Sequence, residues 1–217
     1  GDAMMIMAYQ CFESYEPITF KKLMLLFNKT SLEVCEGQQL DMDFETRNDV
    51  SIPEYLKMIT YKTSVLVAAA MKMGAIIANI EEKEAEAIYN FGLNLGIAFQ
   101  LQDDYLDTFG DAAVFGKQIG GDISENKKTF LYLKALEVCG ESDKQKLLDF
   151  YTINKNGNSK VEEVTDLLER NELKEITIQE IELYTNKAFK VLETLTVSEE
   201  KKQVLKDFGV SLMKRTI

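Results

Sequence analysis

From Phe99 to Thr129 the chain reads FQLQDDYLDTFGDAAVFGKQIGGDISENKKT, a stretch dense in carboxylates and ammonium groups. On a helix Asp103 and Asp107 are four residues apart and share a face, Gln100 lies a turn earlier, and Asp104 sits about 100° around. Like charges at this spacing cost about 0.2 to 0.5 kcal/mol. The arrangement is therefore tolerable on a solvated face and useful where a cation sits between the carboxylates. Oxygen-only ligands select a hard cation. Mg2+ fits best, because it takes one or two protein carboxylates and completes its shell with water and phosphate oxygens.

The phosphate would have to be met from the other side, and the following residues supply the means. GDAAVFGKQIGGD is rich in glycine and reads as a loop. It carries Lys117, Asp122, Lys127 and Lys128 past the carboxylate helix. Together these features read as a diphosphate site. A lone DDxxD string is more often a solvated helix face, but Leu101 and Tyr105 set an apolar stripe beside these carboxylates, which makes the helix half core and half site. Two other anion or metal motifs are excluded. A Walker-type loop requires four residues between its glycines and Ser or Thr after its lysine, whereas five separate Gly110 from Gly116 and Gln118 follows Lys117. An EF-hand starting at Asp41 would have Thr46 in place of its glycine and Ile52 in place of its bidentate glutamate.

The elements that must position these groups are helical. The 217 residues include two prolines, Pro17 and Pro53, so long runs are uninterrupted. Apolar spacing predicts helices over residues 2–12, 20–43, 53–79 and 81–109, with a loop at 14–19. Four or five more amphipathic helices are expected, near 129–139, 143–153, 158–171, 177–195 and 198–214. Ser51 is a cap for the helix that Pro53 opens. Lys62 and Thr63 stand just ahead of VLVAAAMKMGAIIA, where a lysine either snorkels or meets an anion. Ala68 to Ala70 serve close helix packing or leave room for a hydrocarbon chain. Gly92 and Gly96, four apart, permit close approach of a neighbouring helix.

Composition narrows the function. Lysine and arginine number 25 against 36 acids, a net charge of −11, so neither nucleic acid nor an anionic membrane surface is an expected partner. The chain has no histidine, which excludes Ser-His-Asp, Cys-His and HExxH chemistry within it. Cys11, Cys35 and Cys139 are widely spaced and read as reduced thiols of a cytoplasmic protein. No integral membrane segment is expected. The length suits one domain over 1–217.

FQLQDDYLD followed by FGKQIGGDISENKKT resembles the second aspartate-rich region of the trans-isoprenyl diphosphate synthases, the farnesyl and geranylgeranyl diphosphate synthase family. GQQLDMDFE from Gly37 and YKTSVLVAAAMKMGA from Tyr61 agree in order and spacing, and the opening GDAMMIMAY is similar to a family helix. The likeness extends to about Leu136. It implies an all-α bundle of the isoprenoid synthase type with a central cavity, and a homodimer. The implied activity is head-to-tail condensation of an allylic diphosphate with isopentenyl diphosphate, assisted by Mg2+.

On that resemblance Asp103, Asp104 and Asp107 hold metal, Asp103 most directly, and Gln38, Asp41 and Asp122 form an outer shell. Lys62, Lys117 and Lys127 hold the departing diphosphate. Thr63 and Gln100 turn oxygen dipoles, and Phe99 an aromatic face, toward the allylic cation. The terminal Lys214 and Arg215 either reach back toward the site or are solvated. The family carries another aspartate-rich motif and its isopentenyl diphosphate residues ahead of the point matching Gly1. The chain is therefore expected to be N-terminally incomplete and inactive alone. Alternatives are a noncatalytic partner subunit of a heteromeric synthase, a terpene cyclase or head-to-head synthase of the same fold, and a plain helical scaffold.

Overall fold

The computed structural model describes residues 1–111, 119–152 and 158–214, and among these the chain is helical with no strand. Helix α1 spans Asp2–Gln10 and buries no residue. Helix α2 spans Pro17–Thr46, longer at both ends than the apolar pattern indicates. The expected loop at 14–19 gives way because Pro17 occupies the first turn, where its missing N–H costs nothing. The Glu16 carboxylate accepts the amides of Ile18 and Thr19, closing that turn.

The helix expected over 53–79 is three pieces. Helix α3, Ile52–Ile59, starts with a capping box in which Ser51 and Glu54 satisfy each other's backbone amides. Thr60–Ser64 then forms one π-helical turn, and α4 runs Val65–Ile77. Helix α5, Glu82–Phe109, is the central element, with Leu95 and Leu101 fully buried. Burial of each such side chain contributes about 1.5–3 kcal/mol.

After α5 come the short α6 at Gly121–Ser124, α7 at Phe130–Val138 and α8 at Glu141–Thr152. Helices α9 at Asn158–Arg170, α10 at Leu173–Glu193 and α11 at Glu199–Met213 complete the described chain. Helices α4 and α10 both pack along α5. The larger core joins α3, α5, α7, α9 and α10 through residues such as Tyr55, Leu101, Leu131, Leu167 and Leu173. A smaller cluster, Phe91, Leu95, Ala188, Leu192 and Leu195, joins α5 to α10.

The π turn is held between two glycines. A Cβ on Gly37 of α2 would lie 2.3 Å from the Lys62 backbone nitrogen, and one on Gly96 of α5 would lie 2.6 Å from the Ser64 Cα. Backbone therefore packs on backbone at this point, and the extra residue of the π turn swings Lys62 and Thr63 out of the register a continuous helix would give them. No helix of the described residues is long and apolar enough to cross a membrane.

Candidate active site

Helices α2, α3 and α5 and the segment 122–129 enclose a cavity of about 240 Å3. Of the residues expected from sequence, Asp41, Lys62, Gln100, Asp103, Asp104, Asp122 and Lys127 line it. Lys62 Nζ donates to Asp41 Oδ2 at 2.6 Å. This pair joins the π turn to α2, so the lysine ahead of the apolar run does meet an anion. Asp41 is one helical turn from Gly37, on the same face of α2. The close approach at Gly37 is thus what brings Asp41 within reach.

Asp103 and Asp104 take different places despite being adjacent. Asp103 is half-buried on the cavity wall, whereas Asp104 is buried with 5% of its surface exposed. Tyr55 donates its hydroxyl to Asp104 Oδ2 at 2.6 Å, and Gln100 Nε2 donates to Oδ1 at 3.1 Å. The Phe130 amide adds a long contact of 3.5 Å. Thr63 donates to Gln100 Oε1 at 3.2 Å, so Thr63, Gln100, Asp104 and Tyr55 form one chain of hydrogen bonds. Asp104 thereby ties α5 to α3 and α7. Burial, with the Asp122 carboxylate nearby, pushes its pKa up to about 7.

Asp107 turns to the backbone of the loop. Its Oδ2 accepts the Asp122 amide at 2.9 Å, and its carbonyl accepts the Gly120 amide at 2.6 Å. It thus caps α6 from outside and sets Asp122 facing the cavity. Burial and Asp122 push Asp107 up to about 6, against the stabilising backbone amides of Asp122 and Gly121. Lys127 Nζ donates to Asp122 Oδ1 at 2.9 Å and approaches Glu125 at 3.1 Å. These carboxylates raise its pKa against the desolvation that lowers it.

The remaining expected residues lie elsewhere. Gln38 is exposed and Phe99 half-buried, and neither lines the cavity. Lys117 and Arg215 fall outside the described residues. Lys214 is exposed, but the end of α11 does reach back, since Gln102 Nε2 donates to the Met213 carbonyl at 2.9 Å. Sequence reasoning missed Tyr55, whose only signal was an aromatic residue inside a short capped helix. Lys128, read in the sequence as one of the loop lysines beside the carboxylate helix, does line the cavity; it donates to the Glu45 carbonyl at 3.3 Å and has its pKa lowered by burial.

Carboxylates and no imidazole or thiolate line the cavity, a donor set that suits a hard cation. No group of three or more such ligands converges among the described residues.

A second, almost wholly apolar pocket of about 460 Å3 lies between α1, α2 and α4. Val34 lines it from α2, seven residues or about 10 Å along the helix from Asp41. The alanine run divides its labour. Ala68 meets the backbone of α5 at Gly92, while Ala69 and Ala70 line the pocket.

A family model described as polyprenyl synthetase matches residues 1–169. The chain is 41% identical over 151 residues to a short chain isoprenyl diphosphate synthase of Methanothermobacter thermautotrophicus, covering 69% of this chain and 46% of that protein. The structure resembles the crystal structure of a geranylgeranyl pyrophosphate synthase with a TM-score of 0.94 and 51% identity, over 100% of this chain and 67% of that one. It also resembles a geranylgeranyl pyrophosphate synthase from Corynebacterium glutamicum complexed with isoprenyl diphosphate and magnesium. That match has a TM-score of 0.84 and 25% identity, over 92% of this chain and 57% of the other. The chain spans about half the length of the curated relative it matches.

Proposed function

The chain belongs to the polyprenyl synthetase family, and on that premise we propose that it is the diphosphate-ionising part of a prenyltransferase of isoprenoid biosynthesis. Its substrates are an allylic diphosphate and isopentenyl diphosphate, joined head to tail. The observation that carries the reading is the convergence of Asp103, Asp122, Lys62 and Lys127 on one cavity, with an apolar pocket about two helical turns along α2.

In the reaction the allylic carbon–oxygen bond breaks and its electron pair leaves with the diphosphate. The double bond of isopentenyl diphosphate supplies the pair for the new carbon–carbon bond. The carbocation that remains then loses a proton. The chain has no histidine, and the diphosphate oxygens serve as the base. Lys62 and Lys127 hold the diphosphate through the bond cleavage, where its charge grows and their attraction strengthens. Lys117 is assigned the same role. Gln100, oriented from both sides by Thr63 and Asp104, presents its amide beside the ionising carbon.

Asp103 and Asp122 are the residues assigned to hold metal, with Asp107 setting the position of Asp122 and Asp104 anchoring the helix that carries Asp103. Mg2+ bound there would draw charge from the leaving diphosphate. The relative crystallised with magnesium and isoprenyl diphosphate supports that choice. Asp41, which lines the cavity, completes the outer shell, whereas Gln38, outside the cavity, takes no part in it. Ala69, Ala70 and Val34 receive the hydrocarbon tail away from water.

The same reading makes the protein a cytoplasmic homodimer. Its support is the exposed apolar surface of α1 and α2, where Met4, Ile6, Met7, Ile18, Leu25 and Leu32 are uncovered.

The test uses the complete polypeptide that the gene encodes, incubated with an allylic diphosphate, radiolabelled isopentenyl diphosphate and Mg2+. Label is expected in butanol-extractable product, and Asp103→Ala is expected to lower turnover roughly hundredfold or more with an unchanged circular dichroism spectrum. Near-normal turnover by the variant would overturn the metal assignment. Absence of product from the unchanged protein would favour a noncatalytic subunit.

A further inference from the structure

Lys160, near the start of α9, is 3% exposed and lies under the segment that carries Asp122 and Lys127. Its ammonium donates to the Ile123 carbonyl and to Asn126 Oδ1, both at 2.7 Å. It also stands 5.1 Å from the centre of the Tyr151 ring. No carboxylate lies within ion-pair distance of it among the described residues. A buried cation held by neutral acceptors is costly, and burial lowers its pKa accordingly. The geometry points to a different use.

The segment from Gly120 to Lys127 is gripped at two ends. At its start Asp107 of α5 accepts the Gly120 and Asp122 amides. Gly120, with φ of +81°, lies so close to Val161 of α9 that a Cβ would stand 2.2 Å from Val161 Cγ1. At its end Asn126 adopts φ of +58°, the left-handed region that asparagine enters more readily than other residues with a side chain. Lys160 ties this turn down through the Asn126 side chain and the Ile123 carbonyl of α6. Asn126 is followed at once by Lys127, whose amide donates to the Asp122 carbonyl at 2.9 Å and whose ammonium meets the Asp122 carboxylate.

We propose that Lys160 is a positioning residue for the diphosphate site: through Ile123 and Asn126 it fixes the separation and aim of Asp122 and Lys127. It touches neither substrate nor metal. This rests on the reading of the cavity as a diphosphate site and extends that reading to a residue on α9 that does not line the cavity.

The experiment compares the complete polypeptide with Lys160→Met and Asn126→Ala, titrating each with inorganic pyrophosphate in saturating Mg2+ by calorimetry. The first variant removes the charge and the donor while keeping the side chain's length. The second keeps the charge and removes its partner. Thr177→Val, on α10, serves as a buried polar control, because Thr177 Oγ1 bonds only within its own helix to the Leu173 carbonyl. Pyrophosphate affinity is expected to fall by about tenfold or more in both loop variants, a loss of about 1.4 kcal/mol, and to be unchanged in the control. Melting temperatures without ligand report folding separately, and Lys160→Met is expected to melt no lower than the control.

Unchanged affinity in both loop variants would overturn the inference while leaving the diphosphate reading intact. A loss in Lys160→Met alone would overturn it too, since long-range charge would then account for the effect. A loss matched by an equal fall in the control would make Lys160 structural. Failure of the unchanged protein to bind pyrophosphate in Mg2+ would remove the diphosphate reading and this inference together.

Discussion

Gly37 and Lys62 touch backbone to backbone: a Cβ on the glycine would lie 2.3 Å from the lysine's amide nitrogen. This contact sets α2 against the π turn and leaves Asp41, one turn further along α2, 2.6 Å from the Lys62 ammonium. This ion pair on the cavity wall is thus a consequence of a missing side chain.

Gly37→Ala should therefore do more than its single methyl suggests. Backbone cannot yield as a flexible side-chain tip can, so α2 must shift away from the π turn. The expected cost is about 1–3 kcal/mol or more, read from urea denaturation. Pyrophosphate affinity should fall with it as Asp41 and Lys62 part. Retention of both would show that α2 can slide without disturbing the pair.

Tyr55→Phe isolates the anchor beneath the carboxylate helix. It removes the hydroxyl that donates to buried Asp104 at 2.6 Å and leaves an oxygen short of a partner. The expected loss is about 1–3 kcal/mol of folding stability, with the cavity's lysines untouched. Denaturation measured alongside pyrophosphate binding should show the stability effect to be the larger one.

Lys127→Ala should act in the opposite sense. Its ion pairs with Asp122 and Glu125 are partly exposed, with 47% of the lysine side chain accessible, and such pairs contribute about 0–1 kcal/mol. Melting temperature should barely move, whereas affinity for pyrophosphate should fall roughly tenfold. Calorimetry and a thermal melt on the same sample check both halves.

The pH dependence of stability can be followed at Asp143, far from the cavity. Arg170 donates to it through Nε at 3.0 Å and Nη2 at 2.7 Å, and Asn171 adds a third bond at 2.8 Å. These donors hold its pKa down to about 2. A depressed carboxyl stabilises above its unfolded value of about 3.9, and that contribution is lost as pH falls through about 2. Asp143→Asn should lower the melting temperature at pH 7, and the gap from the unchanged chain should close as pH falls from about 4 toward 2. A gap equally wide at pH 2.5 would show that the carboxylate's charge plays no part.

Much of this architecture is legible in one dimension. Runs with apolar residues at helical spacing and only two prolines specify helices, because burying an amphipathic stripe requires that periodicity. The DDxxD string and the acidic and basic residues after it stand out in the sequence as well, and Asp103, Asp104, Asp122, Lys127 and Lys128 from that stretch line one cavity. Lys62, ahead of an apolar run, pairs with Asp41, a partner that lies 21 residues earlier and that the sequence alone did not name.

Tertiary structure decided how those carboxylates divide their work. Asp103, Asp104 and Asp107 are equivalent as letters, yet Asp103 lines the cavity, Asp104 is buried against Tyr55, and Asp107 caps a four-residue helix. A carboxylate's role depends on which donors reach it, and apart from Gln100, four residues before Asp104, those donors come from residues 15 to 49 positions away in the chain. The π turn at Thr60–Ser64 was equally hidden. The apolar spacing reads there as one continuous α-helix, and the distortion exists in company with glycines of two other helices, Gly37 and Gly96, that let their backbones close on it. Lys160 reads in sequence as one more lysine on an amphipathic helix, and only its burial beneath Ile123 and Asn126 connects it to the site.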